Sequence, residues 1–327
     1  MIETKGLTKR FGDLVAVNEV DLTVGPGEVL GLLGPNGAGK TTTVRMLSSV
    51  LRPTSGTAHV AGYDVLASGQ DVRRRVGVLT EAPGLYTRMT GREYLDFFGE
   101  LRGLMRSYRA TRILALAEQF EVADALDRRL SEYSKGMRQK IALVRTLLHD
   151  PDVLLLDEPT SAMDPASARL VRDALHHLRA AAGRAIVLCT HNLGEAEELS
   201  DRIAIIQQGR IVSEGTVAEL KSRLLGPPMM ELRYLVEAQD GVVPVVSRFG
   251  TVDAVGAGWV RFRAPDPAMT NPRLLRALAD HGVSVVTLSE APQSLERVYL
   301  RAVGEGADVG TVAGEGMSSV PWDGGAR

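Results

Sequence analysis

A glycine-rich segment near the N-terminus combines residue types that suit phosphate binding. Its residues are Gly34, Pro35, Asn36, Gly37, Ala38, Gly39, Lys40, Thr41 and Thr42, which fit the pattern G-x-x-x-x-G-K-[ST]. Glycine lets the main chain curl so that successive N–H groups face a phosphate chain, and a helix that starts here adds a positive dipole. We expect Lys40 to hold the β- and γ-phosphates and Thr41 to ligate Mg²⁺. A chance match of this pattern is on the order of one in a hundred in such a chain, so the segment predicts a nucleotide site.

A pair of acidic residues further along the chain supplies the second half of such a site. Residues 154–156 form an apolar run that ends in Asp157 and Glu158. A strand of this kind places its last residues at the C-terminal edge of a sheet, where open α/β sheets bind ligands. We expect Asp157 to share Mg²⁺ with Thr41, and Glu158 to orient or deprotonate a water aimed at the γ-phosphate. Taken alone, an apolar run followed by two acids is also typical of a strand that ends in solvent.

Short apolar runs alternate with helical patterns from the N-terminus to about residue 225, which predicts an α/β domain with a largely parallel sheet. The buried-strand candidates are residues 29–33, 153–156 and 185–189. Residues 91–129 are mostly helical in pattern, and we place a helical subdomain at about 91–150. On pattern alone, these residues also fit one more layer of helices that covers the sheet.

The pattern changes at Gly226-Pro227-Pro228, which has the composition of a linker. We expect a small α+β domain over residues 226–303. Its predicted strands are residues 232–236, 242–246, 259–262 and 283–288, and its predicted helices are residues 272–281 and 294–301. Residues 304–327 are rich in glycine, serine and alanine with little apolar content, so we expect a disordered tail there.

The composition limits the classes of protein to which the chain can belong. Its 327 residues suit two domains, and 44% hydrophobic with 24% charged residues is typical of a soluble globular protein. The net charge of −2 gives no overall field that favours nucleic acid. Stretches without Asp, Glu, Lys or Arg reach only eleven residues, against about 20 apolar residues needed to span a bilayer, so we expect no membrane span. The opening residues lack the apolar core of a secretion signal and Cys189 is the only cysteine, which favours a reducing cytoplasm.

Together with four further motifs, these residues resemble the ATP-binding cassette of ABC transporters. The further motifs are Tyr133-Ser134-Lys135-Gly136-Met137, similar to the signature sequence; Ser161-Ala162-Met163-Asp164, similar to the D-loop; Thr190-His191, similar to the switch histidine; and Phe11, at the place of the adenine-stacking aromatic residue. The six motifs follow the family's order over residues 2 to about 225. The resemblance implies a P-loop NTPase fold with a mixed-sheet core and a helical subdomain, ATP and Mg²⁺ as cofactors, and ATP hydrolysis.

The family's arrangement implies roles for the motifs that lie far from the glycine loop. Two cassettes pack head to tail in this family, and the signature of one closes over the ATP of the other. The resemblance therefore implies that Ser134 and Gly136 bind the γ-phosphate in the second cassette, and that Asp164 communicates across the dimer. It also implies that His191 hydrogen-bonds the γ-phosphate and the attacking water, and that Phe11 stacks on adenine. Residue type alone leaves an alternative for each: His191 is a polar residue at the end of a strand, and Phe11 is an aromatic residue of the core.

One residue of the predicted metal site departs from the family's pattern. Glu81 stands where most relatives have the glutamine that senses Mg²⁺ and the membrane partner. Its carboxylate can accept a hydrogen bond from a metal-bound water, but it adds a negative charge near Asp157 and Glu158, which weakens the site unless Mg²⁺ offsets the charge. We expect Glu81 to be a Mg²⁺-coupled contact; the alternative is an acidic residue of a solvent-facing loop.

Three features are similar to the exporting branches of the family. The signature contains Lys135 and Met137, residues 82–95 are similar to the region that receives helices of the membrane subunit, and residues 292–300 resemble the end of resistance exporter cassettes. The resemblance implies a peripheral exporter ATPase at the cytoplasmic face of the cell membrane. Its expected partners are an integral membrane permease and a second copy of the cassette, with no nucleic acid. The alternatives are an importer ATPase and a soluble cassette protein that acts on ribosomes or nucleic acid. Proteins of the second class usually have two cassettes in one chain or a long coiled-coil insertion, and basic surfaces that suit phosphate backbones.

Overall fold

The computed structural model describes residues 1–161, 163–235 and 239–304. The strands are β1 Ile2–Phe11, β2 Leu14–Val24, β3 Val29–Leu33, β4 Ser55–Val60, β5 Tyr63–Asp64, β6 Val76–Leu79, β7 Val153–Asp157, β8 Ala185–Thr190, β9 Arg202–Gln207, β10 Arg210–Gly215, β11 Met229–Tyr234, β12 Thr251–Gly256, β13 Trp259–Arg263 and β14 Val285–Glu290. The helices are α1 Lys40–Leu47, α2 Gly69–Arg75, α3 Gly91–Leu101, α4 Arg106–Gln119, α5 Lys135–Leu147, α6 Pro165–Ala182, α7 Leu193–Leu199, α8 Val217–Leu225, α9 Gln239–Val246, α10 Pro267–Asp280 and α11 Leu295–Ala302. Within these described ranges, no helix combines the length and the apolar character needed to cross a bilayer.

The central sheet has six strands in the order β10-β9-β3-β8-β7-β6. The strands from β9 to β6 run parallel to one another, and β10 pairs antiparallel with β9, so the sheet is mixed. Every residue of β3, β7 and β8 is buried, as expected for strands that are covered on both faces. Parallel strands end at one edge of a sheet, and the residues that follow β3, β6, β7 and β8 therefore meet there. This topology confirms the predicted mixed-sheet α/β core.

A second sheet, in the order β2-β1-β4-β5, is antiparallel throughout. Apolar side chains of β1 and β2, including Leu7 and Val17, share one buried cluster with Leu30 and Leu32 of the central sheet and Val44 of α1. Backbone hydrogen bonds from Asn18 N to the Gly209 carbonyl (2.8 Å) and from Gly209 N to the Ala38 carbonyl (2.9 Å) connect β2 to the glycine loop. The second sheet thus fixes one side of the loop.

Helices α3, α4 and α5 lie within the segment that we predicted as helical. Helices α3 and α5 each have a side-chain cap at the start: Thr90 and Glu93 form a capping box on α3, and Ser134 accepts a hydrogen bond from Met137 N (3.2 Å) on α5. A single apolar cluster joins these helices to the central sheet, and it includes Tyr94, Leu95, Ile113, Phe120, Ile141, Leu154 and Leu156. The helical part of the chain therefore packs on the strand that carries Asp157.

The chain after Pro228 forms a four-stranded antiparallel sheet in the order β12-β13-β11-β14, with α9 and α10 packed against it. The element order β-α-β-β-α-β and this strand order are those of a ferredoxin-like split βαβ unit. The small α+β arrangement that we predicted is confirmed. Residues 305–327, where we predicted a tail, lie outside the described residues, as does Val236 at the end of a predicted strand.

Three elements of this part differ from the sequence prediction. The predicted strand at residues 242–246 is wrong, because these residues belong to helix α9 and bury Val242, Val245 and Val246 at helical spacing. A run of valines suggested a strand, but the packing of this face on the sheet outweighs β-propensity. The edge strand β12 was not predicted, and α10 begins at Pro267 rather than at Pro272, with Asp266 accepting a hydrogen bond from Met269 N (3.1 Å).

Helix α11 packs away from this small sheet and against helices α7 and α8 of the larger α/β part of the chain. Its buried residues Leu295 and Val298 share a cluster with Leu220 and Leu225 of α8 and with Ala196 of α7. The Gln207 amide also donates to the Val303 carbonyl (3.4 Å). The α+β segment therefore lies, along the chain, between two helices that contact each other.

Replacing Leu295 by alanine is expected to lower stability by about 2–5 kcal/mol, because the side chain is 1% exposed and its removal leaves a cavity between α11 and α8. Thermal or urea unfolding of the full chain measures the loss. Leu275→Ala on α10 is the matched control, because Leu275 is 38% exposed and its truncation is expected to cost below about 0.5 kcal/mol. Equal unfolding midpoints for the two variants would contradict the packing of α11.

Candidate functional site

The glycine loop joins β3 to α1 and has the backbone conformation that the sequence pattern predicts. Gly37 and Gly39 have φ angles of 81° and 110°, a region that residues with a Cβ rarely adopt. Space is restricted as well: a Cβ at Gly34 would lie 2.4 Å from the Ile206 carbonyl oxygen, and one at Gly39 would lie 2.6 Å from the Ala16 carbonyl oxygen. Glycine is therefore required here by conformation and by close backbone contact.

Lys40 and Thr41 begin α1 and point into different parts of the loop region. The Lys40 ammonium group donates to the carbonyl oxygens of Gly34 (2.6 Å) and Pro35 (3.1 Å), so it lies across the loop, and the residue is 6% exposed. Thr41 Oγ1 donates to Asp157 Oδ2 at 2.7 Å, which connects the start of α1 to the end of β7. The structure thus brings together the two predicted halves of the site.

A cleft of about 580 Å³ opens above these residues. Its lining residues are Ala16, Pro35, Asn36, Gly37, Gly39, Lys40, Thr41, Thr42, Glu81, Asp157 and Glu158. Three of them are carboxylates. Burial raises the pKa of Asp157, and the charges of Glu158 and Glu81 raise it further, whereas the Thr41 hydrogen bond and Lys40 lower it. A cluster of acidic oxygens beside one lysine and a row of amides can bind a cation together with phosphate groups.

Glu158 and His191 are in direct contact at the same edge of the sheet. Glu158 is buried and has a φ of 54°, which is uncommon for a residue other than glycine. Its Oε1 accepts hydrogen bonds from His191 N (2.9 Å) and from the imidazole Nδ1 (2.7 Å). Because an ionised carboxylate only accepts, Nδ1 carries the proton. The imidazole side chain is 66% exposed, so its other face is open to a ligand.

Four other predicted residues lie apart from this cleft within the single chain. Ser134 and Asp164 are exposed caps of α5 and α6, and Asp164 accepts from Ala166 N (3.1 Å) and Ser167 N (3.0 Å). An added Cβ on Gly136 would meet no atom within 4 Å, so nothing in its own chain requires glycine there. Phe11 is 48% exposed at the end of β1, with the Lys9 ammonium 5.0 Å from its ring centroid, and it is not a core residue.

Some residues that the structure brings to the site carried no role in the sequence analysis. Ala16 of β2 lines the cleft, although no motif marks it. The buried Glu195 of α7 bonds to Thr160, which follows Glu158, and to Thr190, which ends β8. The only signal in the sequence is the Asn192-x-x-Glu195 spacing, which is typical of a helix start and says nothing about burial.

The comparisons with known proteins agree with this geometry. Residues 17–161 match the family model described as ABC transporter. The daunorubicin/doxorubicin resistance ATP-binding protein DrrA of Streptomyces peucetius is 40% identical over 94% of this chain and 93% of its own length. The Nod factor export ATP-binding protein I of Cupriavidus metallidurans is 35% identical over 93% of this chain and 97% of its own length.

Solved structures show the same architecture. One titled as the ATP-binding subunit of an ABC transporter has a TM-score of 0.65 and 28% identity, and the match covers 69% of this chain and 94% of that one. The predicted P-loop NTPase cassette fold is confirmed, as is the prediction of an ATPase. The chain belongs to the ABC transporter family, as one of its ATP-binding, ATP-hydrolysing subunits.

Proposed function

We propose that this chain powers the efflux of drug-like or antibiotic molecules through a separate integral membrane permease, as a peripheral subunit at the cytoplasmic face of the cell membrane. The observation that carries the proposal is the extent of the match to relatives named for drug resistance and for export. The two matches cover 94% and 93% of this chain, so they include the segment after residue 226 as well as the cassette. The named substrates of those relatives differ, so the proposal extends only to the class of substrate.

ATP is proposed to bind in the cleft with its phosphates on the glycine loop. The loop amides and the start of α1 supply hydrogen-bond donors, and Lys40 supplies a positive charge. Mg²⁺ fits the donor set, because Thr41 Oγ1 and Asp157 Oδ2 are hard oxygen ligands 2.7 Å apart and Glu81 adds a third oxygen-bearing side chain. The excess of carboxylates also favours a cation, because burial raises the pKa of Asp157 and repulsion from Glu158 and Glu81 raises it further, and a positive charge would offset both effects. When bound, Mg²⁺ supplies charge stabilisation for the transferred phosphoryl group.

Hydrolysis is proposed to depend on Glu158 and His191. Glu158 lies directly after Asp157 on the edge of the cleft and can accept a proton from, or orient, the attacking water. His191 donates from Nδ1 to Glu158, which holds the carboxylate and leaves the exposed Nε2 face for the γ-phosphate side of the site. Catalysis is then mostly positioning and charge stabilisation of an in-line displacement.

A second copy of the chain is proposed to complete the site. Ser134, Gly136 and Asp164 all lie outside the cleft of their own chain, and the helix start at Ser134 has main-chain donors and no clash above Gly136. These features suit a phosphate that is presented by a partner. Phe11 is exposed at a strand end and is proposed to stack on adenine. The chain's balanced charge gives no support to nucleic acid as a partner.

The proposed partnership predicts what co-purifies with the chain. Membranes from cells that express a Glu158→Gln chain, which holds ATP without turnover, are solubilised with Mg²⁺-ATP and the chain is affinity-purified. We expect a polytopic membrane protein in the complex, and less of it with Lys40→Ala, because that variant cannot close around ATP. Recovery only in the soluble fraction, bound to ribosomes, would contradict the exporter and favour the alternative function.

A further inference from the structure

A buried carboxylate behind the cleft has a hydrogen-bond pattern that the mechanism above does not use. Glu195 is 3% exposed, and its two oxygens accept from Thr160 Oγ1 (2.7 Å) and Thr190 Oγ1 (2.8 Å). Thr160 lies two residues after Glu158, and Thr190 directly precedes His191. Glu195 therefore hydrogen-bonds to both segments that carry the proposed hydrolytic residues, although it forms no hydrogen bond with Glu158 or His191.

The conformation of Glu195 differs from that of equivalent residues elsewhere in the molecule. Glutamates at the third position of α3 and α8, Glu93 and Glu219, turn back and accept from the N–H of their capping residues at 2.8 Å. Glu195 occupies the same position of α7, but its side chain turns inward, and the N–H of its capping residue Asn192 donates instead to Thr190 Oγ1 (3.0 Å). Glu195 therefore lacks the usual hydrogen bond from the N–H of its capping residue and instead accepts from the two threonines.

The Thr190 hydroxyl has two carboxylates within reach and only one proton. Its Oγ1 is 2.8 Å from Glu195 Oε2 and 3.4 Å from Glu158 Oε2. A hydroxyl donates one hydrogen bond, and the shorter contact takes the proton. The Asn192 N–H occupies a lone pair of the same oxygen, which further fixes the orientation of the hydroxyl. As long as Glu195 accepts, Glu158 Oε2 does not receive this proton.

The two carboxylate oxygens of Glu158 therefore differ in the hydrogen bonds that they accept. Oε1 accepts from the backbone and the imidazole of His191, as described above. Among the described residues, the distant Thr190 hydroxyl (3.4 Å) is the only hydrogen-bond donor found for Oε2. We propose that Glu195 is a positioning residue for ATP hydrolysis, which draws the Thr190 proton away from Glu158 Oε2 and so keeps that oxygen available to the attacking water. This inference rests on the proposed role of Glu158 and extends it.

Glu195→Gln tests the inference, because the amide keeps the shape of the side chain and changes its hydrogen bonding. An amide has one acceptor oxygen and two donors, so its NH₂ group can face Thr190, whose proton then turns to Glu158 Oε2 and competes with water. We expect kcat for Mg²⁺-ATP hydrolysis by the full chain to fall about tenfold, below the 10²–10⁴ expected for losing the base itself, with KM for ATP unchanged within about twofold. The matched control is Glu197→Gln on the same helix, which is paired with Lys221 at the surface and should keep the normal kcat.

A double variant separates this role from a merely structural one. Adding Thr190→Val to Glu195→Gln removes the competing donor, so kcat is expected to rise above that of Glu195→Gln alone. A purely structural role predicts the opposite, because a second buried hydrogen-bonding group is lost. If Glu195→Gln does not fold, Glu195→Leu tests the same inference, because it also leaves Thr190 free to donate to Glu158 and should lower kcat with KM unchanged.

Two outcomes overturn the inference. One is a kcat within twofold of the unmodified chain in Glu195→Gln; the other is a double variant no faster than Glu195→Gln alone. Either result, combined with a loss of turnover in Glu158→Gln, removes the role of Glu195 and leaves the proposed base in place. Normal turnover in Glu158→Gln would contradict both the role of Glu195 and the role of Glu158 as the base.

Discussion

Glu158→Gln is expected to lower kcat for ATP hydrolysis by about 10²–10⁴-fold while ATP binding stays within a few-fold of normal. The amide keeps the size of the side chain and the acceptor for the His191 N–H, but it cannot take a proton from water. The proposed phosphate contacts come from the glycine loop and Lys40, on a different strand end, and this substitution leaves the Lys40 hydrogen bonds in place. The loss should therefore appear in kcat and not in affinity, and a long-lived ATP-bound dimer should accumulate.

Single-turnover hydrolysis, nucleotide affinity and size-exclusion chromatography with Mg²⁺-ATP measure the three parts of this expectation. Glu198→Gln is a suitable control for the loss of one negative charge, because Glu198 lies on α7, pairs with Arg172 at 3.1 Å and does not line the cleft. Normal turnover by Glu158→Gln would count decisively against Glu158 as the base. A loss of affinity as large as the loss of kcat would mean that Glu158 binds rather than activates.

The chemistry of the loop was predictable from sequence because it depends on short-range constraints. The positive φ angles at Gly37 and Gly39 and the position of Lys40 at a helix start follow from one segment whose spacing carries the information. The contact of Thr41 with Asp157 was also predictable, because the carboxyl ends of parallel strands lie at the same edge of the sheet. These inferences required no knowledge of how distant segments pack.

Other features depend on packing that no single segment encodes. The pairing of Glu158 with His191 results from β7 and β8 being neighbours in the sheet. The inward turn of Glu195 depends on the positions of Thr160 and Thr190, and the same local spacing gives an ordinary capping box at Glu93. Helix α9 was misassigned for a related reason, since burial of one valine face against the small sheet decides its conformation.

Lys40→Ala is expected to weaken ATP binding by about 10²-fold or more, or about 3 kcal/mol, and to abolish turnover with it. The ammonium group is 6% exposed and is the one lysine or arginine that lines the cleft among the described residues. Its removal leaves the phosphates facing the carboxylates of Glu81, Asp157 and Glu158 without the compensating charge. The carbonyl groups of Gly34 and Pro35 also lose their shared donor, so the loop becomes less well held.

Isothermal titration calorimetry with ATP and Mg²⁺ measures the loss directly, and thermal unfolding without nucleotide shows whether the fold is intact. Lys5→Ala is the control, because Lys5 pairs with Glu3 at the surface of β1 and does not line the cleft, so its loss should leave affinity unchanged. Lys40→Arg keeps the charge but is expected to restore little binding, since a planar guanidinium group differs in shape and donor geometry from the compact ammonium group that donates to both loop carbonyls. Unaltered affinity in Lys40→Ala would show that the glycine loop does not hold the phosphates, and the proposed site would then have to lie elsewhere.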